Sequence, residues 1–280
     1  MRRESHKLWN GLALLLLLSV GLSACGGKQA APDVTPTAGP PPQVGTIKVG
    51  ISPDWEPWES LDKDTQKPVG FDVDLMNTVA KEAGFQVEFV QVPFDKLLDG
   101  VGKDYDAAIG ALLIDDARSA KVAFSNPYQN TGLVLVMPMI NRALWGMADV
   151  AGKKAGALAG SAGEAEIKKV DPKALVTFQT NDEMFKDLAS AQRDLDVIVS
   201  DYLTASQEIA RTTDALKNGP PFTDAKLGIA VAKSRPDVLA AINAGLKSAT
   251  DNYLVKDVVN KWLAVPPDKR PAGFVFQPGR

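Results

Sequence analysis

The chain holds one cysteine, Cys25, and one histidine, His6. An intramolecular disulfide and a Cys/His zinc cluster are therefore excluded, and acid–base chemistry would fall to carboxylates. Asp72 and Asp74 are the nearest approach to a catalytic pair, but residues two apart at a helix start do not share a face, so capping and local structure explain them better. Other residues have the chemistry of binding. The guanidinium of Arg118 can hold a carboxylate through two parallel hydrogen bonds, which lysine does not reproduce; the other reading is a solvated arginine at a helix start. Asp201 follows the apolar run Val197–Val199, where a carboxylate either faces a cleft at a sheet end or caps a helix from Tyr202. Ser161 follows Gly160 ahead of a helical stretch, whose first amides suit a carboxylate. The indole of Trp55 can attract a cation.

The elements that position these groups are legible in the hydrophobic pattern. Ile47–Ile51 reads as a strand. Val73, Leu75, Met76, Val79, Ala80 and Ala83 recur at helical spacing after Gly70, with Gly84 placed to end the helix. Strands follow at Val87–Val92 and Asp106–Leu112, with a short helix from Phe94 to Leu98. This alternation predicts an α/β unit with a parallel sheet, whose ligands sit beyond the carboxyl ends of the strands. A second unit repeats it. Gly132–Met137 leads out of the first, Lys154–Ala159, Leu175–Phe178 and Val197–Val199 are strands, and helices fall near Asp182–Ala191 and Tyr202–Ala210. Leu227–Val231 is a further strand, followed by helices over Pro236–Ala249 and Asn252–Leu263. The tail from 266 is proline-rich and irregular, with Phe274 and Phe276 as candidates to pack on the body.

At 280 residues the chain has room for two modest lobes. With 45% hydrophobic and 23% charged residues it is neither disordered nor apolar throughout. A net charge of -3 with no block of Lys and Arg argues against a nucleic-acid partner. Arg2, Arg3 and Lys7 precede the apolar run Leu12–Leu18, and Leu22-Ser23-Ala24-Cys25 closes it, which is the layout of an export signal. Its end resembles the lipobox of bacterial lipoproteins. That resemblance implies removal of residues 1–24 and acylation of Cys25, the multiple chains giving firm anchoring. Residues 25–45 then form a lipidated cysteine and a Gly/Ala/Pro/Thr tether.

Several motifs in order resemble the extracellular solute-binding proteins of polar amino-acid ABC transporters, family 3. They are Asp54-Trp55-Glu56-Pro57-Trp58, Gly70-Phe71-Asp72-Val73-Asp74-Leu75, Asp106–Ile109, Arg118, Phe124-Ser125-Asn126-Pro127-Tyr128, Gly160-Ser161, Asp196 with Asp201, and Leu227–Val231. The resemblance covers about Thr46 to Leu263. It implies a type II periplasmic-binding-protein fold of two α/β lobes, each a mostly parallel sheet flanked by helices, with the ligand cleft between them. It divides the chain into 46–136 and 226–265 as the first lobe and 137–225 as the second, with 266–280 as a tail.

The same resemblance assigns Arg118 to a ligand α-carboxylate, Asp201 to the α-ammonium, Trp55 and Phe94 to aromatic walls, and Ser161, Ala111, Leu113, Asp115 and Ala162 to the surrounding site. Leu113 and Ala162 stand where the family commonly has hydroxyl side chains. Asp115 replaces a threonine and either adds charge beside the cleft or pairs with Arg118. Asp54 and Glu56 are candidate selectors for a basic side chain. The implied protein is a lipid-anchored monomer on the extracytoplasmic face of the cell membrane. It needs no cofactor and no metal, and passes a polar amino acid, basic ones included, or a related amine to an ABC permease. A prephenate/arogenate dehydratase-like enzyme on the same fold and a ligand-sensing lipoprotein are the alternatives.

Overall fold

A computed structural model describes residues 42–141, 144, 146–190, 194–211 and 215–263. The leader, Cys25, most of the tether, and the tail with Phe274 and Phe276 lie outside the described residues.

The folded chain opens with β1 (Thr46–Ile51), a hairpin of β2 (Ser60–Leu61) and β3 (Pro68–Val69), α1 (Phe71–Ala83) and β4 (Gln86–Gln91). In β1, Ile47, Val49 and Ile51 are fully buried while Lys48 faces water, the period-2 pattern that specifies which face meets the core. α1 buries Leu75, Met76, Val79 and Ala83 on one stripe and ends at Gly84, whose φ of 75° lets its N–H return to the Ala80 carbonyl. β5 (Ala107–Ala108), α2 (Asp116–Lys121), β6 (Ala123–Phe124) and β7 (Gln129–Thr131) follow. Next come β8 (Leu133–Pro138), β9 (Ala155–Leu158), α3 (Ala162–Val170), β10 (Leu175–Phe178) and α4 (Asn181–Ser190). After them lie β11 (Val197–Asp201), α5 (Tyr202–Arg211) and β12 (Leu216–Asn218). The described chain closes with β13 (Ala225–Leu227), β14 (Ala230–Val231), α6 (Pro236–Asp251) and α7 (Leu254–Trp262).

Two five-stranded sheets result, in the orders β4-β1-β5-β14-β6 and β10-β9-β11-β8-β12. β1 runs parallel to β4 and β5, and β9 parallel to β10 and β11. β14 and β8 are antiparallel to both of their neighbours, so each sheet is mixed. β7 and β13 pair with each other, at the two places where the chain passes between sheets.

Three expectations change. The apolar run after Gly132 pairs with β11 and β12, so residues 133–136, placed with the first lobe, lie in the second sheet. The reason is its full burial on both faces, which carries no alternation to tell one sheet from the other. The strand expected over Asp106–Leu112 is only Ala107–Ala108, because residues beyond it turn away to build the loop described below. The strand expected over Leu227–Val231 is broken at Gly228 and Ile229, which bond to the Leu112 carbonyl and the Ser125 hydroxyl. Among the described residues, no helix is long and apolar enough to cross a membrane.

Candidate functional site

The site begins with the loop after β5. Ala111 adopts φ 44°, a left-handed conformation costly for a residue with a Cβ, and its N–H donates to Asp72 Oδ2 at 2.9 Å. Beyond it, Asp115 caps α2 by accepting from the Arg118 N–H at 2.8 Å. This places Arg118 in the first turn with its side chain turned inward, and the residue is only 8% exposed. Its Nη1 donates to the Leu113 carbonyl at 3.0 Å and its Nη2 to the Gly160 carbonyl at 3.1 Å, across to the loop between β9 and α3. Burial pulls the guanidinium pKa below its ordinary value, opposed by the Asp115 carboxylate at 3.6 Å from Nε.

Asp201 ends β11 beside Leu133 of β8. Its Oδ1 accepts the Thr204 N–H at 3.0 Å, so it does cap α5. It is buried, and burial raises its carboxyl above the usual range. Besides capping α5, it lines the cavity that Arg118 also lines. That cavity, about 30 Å³, is also lined by Trp55, Phe94, Ala111, Leu113, Ser161 and Ala162.

Trp55 and Phe94 meet edge to face at 5.7 Å, and Trp58 continues the stack to Phe71 at 5.2 Å. Trp58 Nε1 donates to Thr204 Oγ1 at 3.0 Å, joining the β1–β2 loop to α5. Ser161 caps α3, accepting from the Glu164 N–H at 3.1 Å. Eight of the nine residues that the resemblance assigns to the ligand site therefore converge on one cavity. Asp115 is the exception: capping α2 and pairing with Arg118 occupy its carboxylate, and it is not among the lining residues.

Asp72 and Asp74 diverge, as their spacing required. Asp74 Oδ2 holds Lys261 Nζ and Trp262 Nε1 at 2.6 and 2.7 Å, tying α7 to α1. Asp72 is fully buried, accepts from Ala111 and from the Tyr128 hydroxyl at 3.2 Å, and lies against a second buried carboxyl, Glu59. Burial pushes Asp72 up to about 7, and burial with the Asp72 charge pushes Glu59 well above the carboxylate range. Glu59 Oε2 accepts from the Ser52 N–H, and the Glu59 carboxyl also shares a hydrogen bond with the Asp72 carboxyl.

Sequence reasoning missed Glu59, whose burial only the fold reveals. It also missed Asn181 and Met184, which enter the cavity from the start of α4. The position of Asn181 just past the end of β10, where ligands of such sheets gather, was a usable signal. Asp54 and Glu56 do not line the inner cavity. They border a larger one of about 390 Å³, shared with Trp55, Asn181, Asp182, Glu208 and Arg211. Among the described residues, no group of three or more His, Cys, Asp or Glu side chains is placed to hold a metal ion.

The sequence profile of the bacterial extracellular solute-binding proteins, family 3, matches residues 47–265. An L-arginine-binding protein of Pseudomonas aeruginosa is 30% identical over 232 residues, covering 78% of this chain and 88% of that protein. A probable histidine-binding protein of Neisseria gonorrhoeae is 28% identical over 261 residues, covering 90% of this chain and 94% of that protein. Among solved structures, an ancestral arginine-binding protein bound to glutamine superposes with a TM-score of 0.71 at 30% identity, covering 79% of this chain and 98% of that one.

Proposed function

Because the chain belongs to the bacterial extracellular solute-binding proteins, family 3, and has the type II periplasmic-binding-protein fold, we propose that it captures a polar amino acid between two lobes and passes it to the permease of an ABC importer. The observation that carries this reading is the meeting of Arg118, from α2, and Asp201, from the end of β11, on one cavity. A guanidinium and a carboxylate lining one cavity match the two charges of a zwitterion, the guanidinium taking the carboxylate through parallel hydrogen bonds. Trp55 and Phe94 supply apolar walls for the side chain. Relatives named for binding arginine and histidine support an amino-acid ligand.

The lobes of this proposal are residues 46–131 with 225–263, and residues 133–222, following the two sheets. A cavity of about 30 Å³ holds about two waters, so an amino acid enters only if the lobes part. Opening breaks the bonds of Arg118 to Gly160 and of Trp58 to Thr204 and closure restores them, so ligand binding and lobe closure are one event.

We assign the chain no catalysis, in keeping with relatives named as binding proteins. Export through the leader, cleavage before Cys25 and acylation of that thiol hold the protein at the extracytoplasmic face of the membrane, with residues 26–45 as a tether to the lobes. Calorimetric titration of ligand-stripped protein with the individual amino acids tests the central claim. The expected result is saturable one-to-one binding that Arg118→Ala and Asp201→Ala each abolish. Folded protein that binds none of the amino acids would refute it.

A further inference from the structure

The carboxylates around the cleft already have partners, and two buried donors do not. Trp55 and Asn181 border both the inner cavity beside Arg118 and Asp201 and the outer one toward Asp54 and Glu56. The two residues are only 6% and 3% exposed, yet Trp55 Nε1 and Asn181 Nδ2 have no hydrogen-bond partner among the described residues. A buried donor left unpaired is costly, so two such donors on the same pair of cavities mark a place where a partner belongs.

The outer carboxylates contrast with them. Asp54 accepts from the Ser52 hydroxyl at 3.0 Å, Asp182 holds Lys186 at 2.7 Å, and Arg211 lies 3.5 Å from Glu56 and 3.1 Å from Glu208. Within the inner cavity, Asp201 is the one carboxylate and Arg118 the one cation among the described lining residues.

Resting on the reading that these two charges hold the α-carboxylate and α-ammonium, we infer that the ligand is an amino acid with an uncharged side chain ending in a hydrogen-bond acceptor, a carboxamide above all. Its acceptor takes the Trp55 Nε1–H and the Asn181 amide N–H. The chemistry of the donors separates the candidates. Guanidinium and ammonium groups carry no acceptor, and an indole N–H can only donate. The Asn181 amide can turn its carbonyl toward a cation, but Trp55 has nothing to turn. Arginine or lysine would leave the indole unpaired, and of the outer carboxylates Asp182, Glu56 and Glu208 already hold a cation. An aliphatic side chain of the same length fills the space and also leaves the donors unpaired. Sites that hydrogen-bond a substrate group reject analogues lacking it far more strongly than apolar pockets reject a methylene.

The test is calorimetric titration of the full chain, freed of bound ligand by unfolding and refolding, with L-glutamine, L-asparagine, L-arginine, L-lysine and L-norleucine. It is repeated on Trp55→Phe, which keeps an aromatic wall and deletes the donor. The inference expects an amide to bind at least about tenfold tighter than arginine, lysine or norleucine. Trp55→Phe should weaken the amide by about 5- to 100-fold and norleucine, which loses wall area but no hydrogen bond, by less, so the preference for the amide over norleucine falls. Arginine or lysine binding as tightly as the amides, lost in Arg118→Ala but unmoved by Trp55→Phe, overturns the inference and leaves the zwitterion clamp standing. Folded protein that binds no α-amino acid sinks the clamp, and this inference with it.

Discussion

Replacing Asp72 with asparagine should change how stability depends on pH more than it changes stability at any one pH. Asp72 lies fully buried beneath Ala111, and burial raises its pKa from 3.8 to about 7. Below about pH 4 the carboxyl is protonated in both the folded and the unfolded chain, and its stabilising contribution is complete. Between about pH 4 and pH 7 the unfolded chain ionises while the folded one keeps its proton. Unfolding then releases a proton, and stability falls as pH rises until the folded group ionises near 7. At about 1.4 kcal/mol for each unit between 3.8 and 7, the loss is about 4 kcal/mol, and no solvent screening reduces it at a fully buried site.

Asparagine does not titrate, yet its carbonyl can accept from the Ala111 N–H and its amide N–H can keep a hydrogen bond to the Glu59 carboxyl. Removing the Asp72 charge also relieves Glu59, which acts in the same direction. Urea unfolding followed by tryptophan fluorescence, at intervals from about pH 4 to pH 8, measures both proteins. The difference in unfolding free energy should move by about 4 kcal/mol in favour of the variant across that window. Profiles that stay parallel within about 1 kcal/mol would refute the reasoning, because groups that do not interact with Asp72 cancel in the difference, while relief of Glu59 adds to it.

Gly245 sits where α6 crosses α1, and a Cβ there would come within 2.3 Å of the Val79 carbonyl oxygen. Gly245→Ala should cost about 1–3 kcal/mol, read as a lower urea midpoint at unchanged slope; an unmoved midpoint would contradict the close approach. Trp58→Phe deletes the bond to Thr204 that spans the cleft and should raise the ligand Kd about fivefold, for about 1 kcal/mol, in calorimetry; an unchanged Kd would remove that bond from the closure mechanism. Cys25→Ser should move the protein from the membrane fraction to the soluble one, and retention on membranes would defeat the proposed lipid anchor.

Where burial follows a period, the sequence was sufficient: β1 and α1 fall within a residue of their predicted spans because alternation and helical spacing each name a buried face. Where burial is complete, it was not. Leu133–Met137 is apolar throughout, and only its pairing with β11 and β12 assigns it to the second sheet. The same limit hid Glu59, a carboxyl in a loop that looks solvated until the fold closes over it. At Asp115 the pairing with Arg118 that its charge allows is present, and the cap came unannounced. The residue was read for its charge, although an aspartate three residues before Arg118 at a helix start is a cap first.

Leu113 joins these cases. Set against the family, its side chain is a lost hydroxyl, yet its backbone carbonyl is what orients Arg118 Nη1, a contribution any side chain at that position would leave in place. Comparing side chains position by position therefore overstates the loss at Leu113, because Arg118, the carboxylate-binding half of the proposed clamp, is aligned by main chain from Leu113 and Gly160. Under the proposed clamp the departure bears instead on the ammonium half, where Asp201 would supply the charge and the hydroxyl that the resemblance implies is missing. A Leu113→Ser variant should accordingly tighten binding of an α-amino acid without altering its dependence on Arg118. If it instead weakened binding, the leucine side chain would be a wall of the pocket that this ligand needs, and calorimetry on the single variant distinguishes the two.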